Sequence, residues 1–283
     1  MKGRTLGRIT LGAAVGTCWS ASLLAGQAKR DSVAPQVWSL EGLRAAYCVR
    51  FFMEPSAAAR ELRKGFVLVS ANEDQALHPA LRQVVQNQPE FGTWIPSNLC
   101  FYYLDAVQMG KLRVTAKDRR KAQVLGVWNL ATKEKESGAR RDQVVDMFAG
   151  RSALVRTAET ERVRLHEAEV IVADAPDTTA DLYSVKLEKT LLVWTGHVAD
   201  DSSRVQSPIE ESWSAPGFRR QEKPAHLVLT PVWSRSLVGA LRVEGKGTLA
   251  KALKASPIRF VGPFYHGGEG QLRFDFSQPH SLR

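Results

Sequence analysis

Two cysteines have the side chains with the clearest chemical reactivity in this sequence. Cys100 lies in an aromatic stretch, GTWIPSNLCFYYLD, and Cys48 lies in AYCVRFFME. A nucleophilic cysteine needs a histidine and an orienting group nearby, and the same region contains only His78. Two thiols in an oxidising compartment tend to form a disulfide instead, provided that their Cα atoms approach within about 7 Å. We therefore predict a Cys48–Cys100 disulfide, with two buried free thiols or a catalytic Cys100 as the alternatives.

The densest group of charges is basic and could bind an anion. Its cations lie in the sequence KDRRK and are Lys117, Arg119, Arg120 and Lys121. Five residues fit a connection between two antiparallel strands, so these charges are expected to project together from a hairpin. A clustered positive potential attracts a phospholipid head group, an acidic glycan or the acidic face of a protein. The alternative is a charged loop that keeps the hairpin soluble and protects a sheet edge.

Residues that could bind a metal are present, but their spacing is not typical of a metal site. The six histidines show no HExxH or HxH spacing, and no Cys-x-x-Cys pair occurs. Asp174, Asp177 and Asp181 could gather Ca²⁺, because this ion prefers carboxylate oxygens. Their spacing differs from that of an EF-hand, and acidic residues around a proline turn are common. We predict no metal site and keep these three aspartates as weak candidates only.

Catalytic and cofactor motifs are missing from the sequence. Neither Gly-x-Ser-x-Gly nor Ser-x-x-Lys stands in a strand–turn–helix context, and no P-loop or dinucleotide-binding glycine pattern occurs. Acidic pairs such as Glu210–Glu211 could serve glycoside hydrolysis, but such pairs are recognised by their distance in space. The sequence therefore predicts no cofactor and favours a protein without catalytic activity.

The first 28 residues have the layout of a secretory signal peptide. Lys2, Arg4 and Arg8 precede an uncharged, mostly apolar stretch, 9–28, which ends with small residues at Gly26 and Ala28. We predict cleavage near Ala28 and a periplasmic or secreted protein. The alternative is an uncleaved membrane anchor formed by residues 9–28, because about 20 apolar residues can span a bilayer. If the leader is removed, Cys18 leaves with it and two cysteines remain.

Composition and charge are those of a basic globular protein. Of the 283 residues, 44% are hydrophobic and 24% are charged, which argues against disorder. The net charge is +10, but the basic residues are mostly dispersed along the chain. Dispersed charge usually belongs to a solvated surface. Together with the predicted export, this pattern makes nucleic acid an improbable partner.

Alternating apolar residues predict a chain made mostly of strands. In the segment 46–54 this alternation places Cys48 on the same face as Arg50 and Phe52. Helical patterns are predicted for a longer segment from about Arg151 to Ala173, whose end EVIVA suits a strand equally well, and for three short segments, 55–65, 77–87 and 248–255. Strands are predicted at 46–54, 66–70, 100–108, 111–116, 121–131, 182–198, 226–233, 238–243, 258–265 and 271–276.

The element pattern predicts an α+β fold with a mainly antiparallel sheet, because short polar loops rather than helices join the strands. The sheet could form a sandwich, a curled half-barrel or a helix-capped sheet. Residues 29–283 would form either one β-rich domain or two lobes that meet near residues 132–141.

Taken together, these features favour an exported, non-catalytic binding or accessory protein of the cell envelope. Its expected partners are another envelope protein, a membrane surface or an acidic glycan. Two alternatives remain open, namely an extracytoplasmic hydrolase acting on a glycan or an ester, and a membrane-tethered subunit of a larger complex.

Overall fold

Strands form most of this protein in a computed structural model. The described residues are 36–116, 123–174, 181–187, 189–198, 205–206, 208–216, 222–230, 232–235, 237–262 and 264–274. All of them belong to one compact unit, Val33–Arg283. The strands are β1 (Gln36–Met53), β2 (Phe66–Leu68), β3 (Ile95–Met109), β4 (Leu112–Thr115), β5 (Gln123–Leu130), β6 (Thr132–Glu134), β7 (Asp142–Ala149), β8 (His166–Glu167), β9 (Glu169–Asp174), β10 (Asp181–Leu187), β11 (Thr190–Val198), β12 (Val205–Gln206), β13 (Ile209–Pro216), β14 (Glu222–Thr230), β15 (Trp233–Arg235), β16 (Leu237–Gly245), β17 (Arg259–Val261), β18 (Phe264–His266) and β19 (Glu269–Phe274). The α-helices are α1 (Pro55–Glu61), α2 (Pro79–Asn87), α3 (Ser152–Thr160) and α4 (Thr248–Ala255).

Seven strands of the main sheet form a closed ring. Their order is β1-β19-β14-β13-β7-β5-β3, and β3 pairs again with β1. Neighbours in the ring are antiparallel except β13 and β7, which are parallel. The predicted α+β fold with a mainly antiparallel, curled sheet is confirmed, but the sheet closes into a ring instead of the predicted half-barrel.

The long strand β1 makes the closure possible because it bends. Its first part, Gln36–Leu40, pairs with β19, and its later residues pair with β18 and β17. The change falls next to Gly42, which has φ 60°, and next to a register shift between Leu43 and Ala45. A positive φ is easily reached only by glycine, so this residue allows the strand to turn along the ring.

Apolar side chains from alternate strand positions fill the inside of the ring. Trp38, Leu40 and Leu104 are completely buried there. Helix α3 covers one end of the ring with Leu154 and Ala158, which belong to the same apolar cluster. The ends of β1 and β5 and the beginnings of β3 and β7 lie at the opposite end.

A second layer covers the outer face of β1, β3 and β5. It consists of helix α4 and a separate antiparallel sheet with the order β16-β11-β10-β9. Aromatic rings join the layers, since the ring centre of Tyr47 lies 5.3 Å from that of Phe101 and 5.8 Å from that of Trp194. The closed sheet is therefore protected on its inner side and on part of its outer side.

The predicted long helix, 151–173, is wrong. Helix α3 ends at Thr160, and Arg162 follows with φ 60°. The N–H of Val163 donates to the Ala158 carbonyl at 2.8 Å, which ends the helix, and Val163 then packs into the ring. Residues 169–174 pair with β10 as strand β9. Their β-branched side chains favour a strand once a partner strand is available.

Several predictions fall outside the described residues. They concern the signal peptide at 1–28, its alternative as an anchor at 9–28, and the KDRRK cluster with Lys117, Arg119, Arg120 and Lys121. Export therefore stays a prediction.

Within the described part of the chain, every helix is too short or too polar to cross a membrane. Residues 132–141 connect β5 to β7 through β6 and a turn.

Candidate active site

A disulfide lies on the inner side of the ring and joins two neighbouring strands. Cys48 on β1 and Cys100 on β3 are directly opposite each other, with Cα atoms 4.0 Å apart. Cys48 is 5% exposed and Cys100 is 1% exposed. The predicted Cys48–Cys100 disulfide is confirmed. Because the two sulfurs are bonded to each other, this oxidised form has neither two free thiols at these positions nor a nucleophilic Cys100.

Four polar residues surround this disulfide, and we call them the polar cluster: Arg50, Tyr102, Glu211 and Tyr265. Strand alternation places Arg50 two residues after Cys48, and Tyr102 two residues after Cys100, on the same inner face. Glu211 comes from β13 and Tyr265 from β18, so four different strands supply the cluster. A carboxyl oxygen of Glu211 lies within 4.8 Å of both sulfur atoms.

Glu211 is the acid of the cluster. Part of the residue is accessible, while its carboxyl group is enclosed by protein, and this burial raises the pKa of Glu211 above its ordinary value. Tyr102, Arg50 and Trp213 act in the opposite direction because they stabilise the carboxylate. A carboxylic acid whose pKa is raised can hold and release a proton closer to neutral pH than an exposed one.

The other members of the cluster change one another's pKa values. Burial lowers the pKa of Arg50, while Tyr265, Glu211 and Tyr102 raise it, and an arginine stays cationic under such conditions. Burial also raises the pKa of Tyr265, and it raises that of Tyr102 well above 10, with a further contribution from the Glu211 charge. Both phenols are therefore protonated at neutral pH and can donate hydrogen bonds.

Two polar atoms at the site lack hydrogen-bond partners among the described residues. The Tyr102 hydroxyl faces the Glu211 carboxyl but makes no hydrogen bond of standard geometry, although the residue is only 1% exposed. The side-chain oxygen of Asn98 is also buried and unpaired, while its amide nitrogen donates to Cys100 Sγ at 3.1 Å. Since buried polar groups are normally satisfied, these atoms point to a ligand or a water molecule.

A pocket of about 110 Å³ opens at the end of the ring opposite α3. Arg50 links this pocket to the polar cluster, because it lines the pocket and acts on Glu211. At the rim, Arg140 forms two hydrogen bonds with the buried carboxylate of Asp74, at 3.2 and 3.0 Å. The lining residues are Arg50, Asp74, Ala76, Leu77, His78, Leu81, Pro96, Ser97, Asn98, Asn129, Ala131, Arg140 and Asp142.

His78 at the rim has a structural role as well. Its Nδ1 accepts a hydrogen bond from the Ala80 N–H at 3.2 Å and thereby caps helix α2. Burial lowers the pKa of His78, and the positive charge of Arg50 lowers it further. The imidazole is therefore neutral at physiological pH.

A larger pocket of about 550 Å³ lies between β5, β7, β11 and the start of α4. Lys189, Lys246 and Lys251 give it a basic lining. Its histidine, His166, already accepts a hydrogen bond from Arg164 Nε at 3.0 Å. No unpaired buried polar atom of the described residues lines this pocket. The polar cluster is therefore the better candidate for an active site.

Among the described residues, one group brings three metal-type ligand atoms together, and it consists of Cys48, Cys100 and Glu211. The two sulfurs are bonded to each other, so they do not offer thiolates to a metal in this state. Of the weak Ca²⁺ candidates, Asp174 and Asp181 are paired across β9 and β10, and Asp177 lies outside the described residues.

Sequence reasoning identified part of this site. The shared face of Cys48 and Arg50 was predicted correctly, but the inward position of Glu211 was missed. Glu211 lies between Ile209 and Trp213 in an alternating strand, and both neighbours are buried. The available signal was an acid at an apolar position of such a pattern. It was hidden because the residues directly before and after Glu211 in β13 are also polar.

We expect Glu211→Gln to stabilise the protein at pH 8 and to have little effect at pH 4. The raised pKa means that the folded protein loses stability as the pH rises above the ordinary value of glutamic acid, and glutamine does not ionise. Each unit by which the pKa is raised corresponds to about 1.4 kcal/mol, or a few degrees in Tm for a domain of this size. Thermal unfolding followed by circular dichroism between pH 4 and 8 measures the difference.

The control is Glu210→Gln, which removes an exposed carboxylate from the outer face of the same strand. This variant should follow the wild-type protein at every pH. If Glu211→Gln is less stable than the wild-type protein at pH 8, the Glu211 carboxyl of the wild-type protein is not held in a desolvated environment.

Similarity to known proteins is limited to solved structures. No protein-family model and no curated protein sequence matches the chain. Among solved structures, the chain is similar to an acetoacetate decarboxylase from Legionella pneumophila, with 10% identity over 93% of this chain and 96% of that chain and a TM-score of 0.45. The enduracididine biosynthesis enzyme MppR complexed with pyruvate has 10% identity, covering 90% and 95% of the two chains, with a TM-score of 0.42. An acetoacetate decarboxylase-like enzyme from Sphingomonas wittichii has 9% identity, covering 86% and 91%, with a TM-score of 0.41.

The prediction of a non-catalytic binding or accessory protein of the cell envelope is wrong, because the similar solved structures are those of enzymes. At TM-scores below 0.5 and identities of 9–10%, no substrate and no residue role passes from these proteins to this chain.

Proposed function

We propose that the polar cluster is the active site of an enzyme that binds a small organic acid through Arg50 and transfers a proton through Glu211. One observation carries this proposal: an arginine, an acid and two phenols meet inside an otherwise apolar ring, next to a pocket. Burying such groups costs free energy, and perturbed ionisable groups in a cleft are typical of active sites.

Arg50 is the binding group for the acid. Its planar guanidinium has five N–H donors and matches a carboxylate with two parallel hydrogen bonds. Its Nη1 donates to the Gly262 carbonyl, which fixes the side chain at the pocket. A cation in a partly desolvated pocket attracts an anion more strongly than a cation on the surface does.

Glu211 and Tyr102 are the groups that act on the bound acid. Glu211, as a carboxylate, can remove a proton from a carbon next to a carbonyl group and then return it as the carboxylic acid. The Tyr102 hydroxyl faces Glu211 without a hydrogen bond of standard geometry, and it can donate to the enolate oxygen that forms. No atom is lost in this cycle, since the proton moves from carbon to Glu211 and back.

The substrate class that fits this arrangement is a small 2-oxo acid, which carries both a carboxylate and a carbonyl. Imine formation with a carbonyl would require a lysine amine. Among the described residues, no lysine lines the pocket or acts on the pKa of Glu211. Proton transfer is therefore the chemistry that the cluster supports best. Pyruvate is a suitable probe, because it is small and its methyl protons lie next to the carbonyl group.

The test is exchange of the methyl protons of pyruvate with D₂O, followed by ¹H NMR. Wild-type protein should accelerate exchange at least about 100-fold over buffer, and Glu211→Gln should remove most of this acceleration. Tyr102→Phe should lower the rate about 100-fold, because it removes the donor to the enolate oxygen. Glu210→Gln should exchange at the wild-type rate. The proposal fails if neither pyruvate nor 2-oxobutanoate exchanges faster than in buffer.

A further inference from the structure

The disulfide Cys48–Cys100 joins two strands that are already paired on both sides of it. Strands β1 and β3 already pair at fourteen positions, from Trp38–Met109 to Met53–Ile95. The disulfide sits within this ladder, on the inner face that carries the polar cluster. The sulfur atoms therefore share their environment with an acid and a cation rather than with apolar side chains alone.

The two sulfurs have different surroundings. The amide nitrogen of Asn98 donates to Cys100 Sγ at 3.1 Å, and Arg50 is directly opposite Asn98 on the neighbouring strand. A hydrogen-bond donor and a nearby cation both stabilise a thiolate. Cys100 is therefore the sulfur that can best leave with the electron pair of the S–S bond. Both residues are buried, and Cys48 is the less enclosed of the two, at 5% exposed against 1%, which makes its sulfur the easier one to reach.

Glu211 can supply the proton that such a reaction needs. Its carboxyl oxygen lies within 4.8 Å of both sulfur atoms. Exchange between a thiol and a disulfide is faster when the leaving thiolate is stabilised. The pocket ends next to this region: Arg50 and Asn98 line it and Asn98 contacts Cys100, while Cys48, Cys100 and Glu211 are not among its lining residues.

We infer that Cys48–Cys100 is a reactive disulfide that exchanges with a small mercapto acid, a thiol that also carries a carboxylate. The thiolate of this molecule attacks Cys48 Sγ, the S–S bond breaks, and its electron pair passes to Cys100, which takes a proton from Glu211. A second mercapto acid gives its proton to the Glu211 carboxylate and attacks the sulfur of the first, and the released Cys48 takes this proton to become a thiol; Glu211 regains its own proton from the solvent. Two mercapto acids are oxidised to one disulfide, and the protein disulfide is reduced to two thiols. This reaction goes beyond proton transfer, and only the binding of the carboxylate by Arg50 rests on the proposed function.

The experiment uses the folded full chain with 3-mercaptopropionate and, as the matched uncharged thiol, 3-mercaptopropionamide. Samples are quenched with acid, alkylated and mapped by mass spectrometry. We expect a mixed disulfide on Cys48 rather than Cys100, formed at least about 10-fold faster with the carboxylate than with the amide, as one charge-assisted contact would give. Asn98→Ala should slow the reaction, and circular dichroism checks that this variant is folded.

Other results would overturn the inference. Equal rates for the two thiols, or mixed disulfides divided equally between the cysteines, would exclude the assigned roles. Reduction no faster than global unfolding, measured by hydrogen exchange, would make the disulfide a structural link only. The variant Cys48→Ser/Cys100→Ser separates the two proposals, because it should still exchange the methyl protons of pyruvate. If wild-type protein reacts with the mercapto acid but does not exchange pyruvate, proton transfer fails and this inference stands.

Discussion

Arg50→Gln is expected to weaken the binding of pyruvate about 100-fold, measured by isothermal titration calorimetry. Hydrogen bonds to a charged group contribute roughly 1.5–3 kcal/mol each, and about 2.7 kcal/mol corresponds to a factor of 100. Arg50 supplies both the charge and the planar pair of donors, so glutamine replaces neither. Arg50→Lys keeps the charge but loses the planar pair of donors, and we expect it to weaken pyruvate binding by about 10-fold.

The control for this experiment is Arg113→Gln. Arg113 is also paired with an acid, Glu41, but Arg113 is exposed, Glu41 is half-buried, and both belong to a different part of the sheet. Its removal should leave pyruvate binding unchanged. If Arg50→Gln binds pyruvate as tightly as wild-type protein does, the carboxylate is bound elsewhere and Arg50 has no role in recognition.

The largest effect on stability is expected for Trp38→Ala, at about 3–5 kcal/mol of unfolding free energy. Trp38 is completely buried at the end of the ring that α3 covers. Its ring centre lies 4.6 Å from that of Phe274 in an edge-on contact, and its indole N–H donates to Glu161 just after α3. The substitution removes both contacts and leaves a cavity that the closed ring cannot fill. Urea denaturation followed by circular dichroism measures the loss.

Two further variants show the origin of this effect. Trp38→Phe keeps a ring at the site and should cost less than the alanine variant does. Val37→Ala changes the neighbouring residue on the outer face, which is 38% exposed, and should shift the unfolding free energy by less than about 0.5 kcal/mol. A loss below 1 kcal/mol for Trp38→Ala would mean that α3 does not close the ring tightly.

Local patterns predicted the elements that depend on neighbouring residues. The short helix 248–255 is present with the predicted bounds, because its apolar residues repeat at helical spacing. The predicted strands around Cys48 and Cys100 are present as parts of β1 and β3, since a run of alternating apolar residues has one preferred conformation. The segment 151–173 was ambiguous, and pairing with β10 decided that its second half is a strand.

The active-site geometry depends on contacts between residues that are far apart in the chain. Arg50 and Glu211 are 161 positions apart, and they meet only because β13 closes the ring between β14 and β7. A glutamate between polar residues looks like surface until the strand around it is paired and one of its faces is enclosed. The burial that raises the pKa of Glu211 is therefore a property of the closed sheet rather than of the segment.

The sequence by itself determined that the chain forms strands and that Cys48 shares a face of its strand with Arg50. These features follow from the period of the side chains along a strand, which is local. The tertiary structure alone decided that the strands close into a ring and that Cys48 lies opposite Cys100. It also decided that an arginine, an acid and two phenols surround their disulfide. Strand register and ring closure depend on the packing of distant segments, and no short stretch of sequence specifies them.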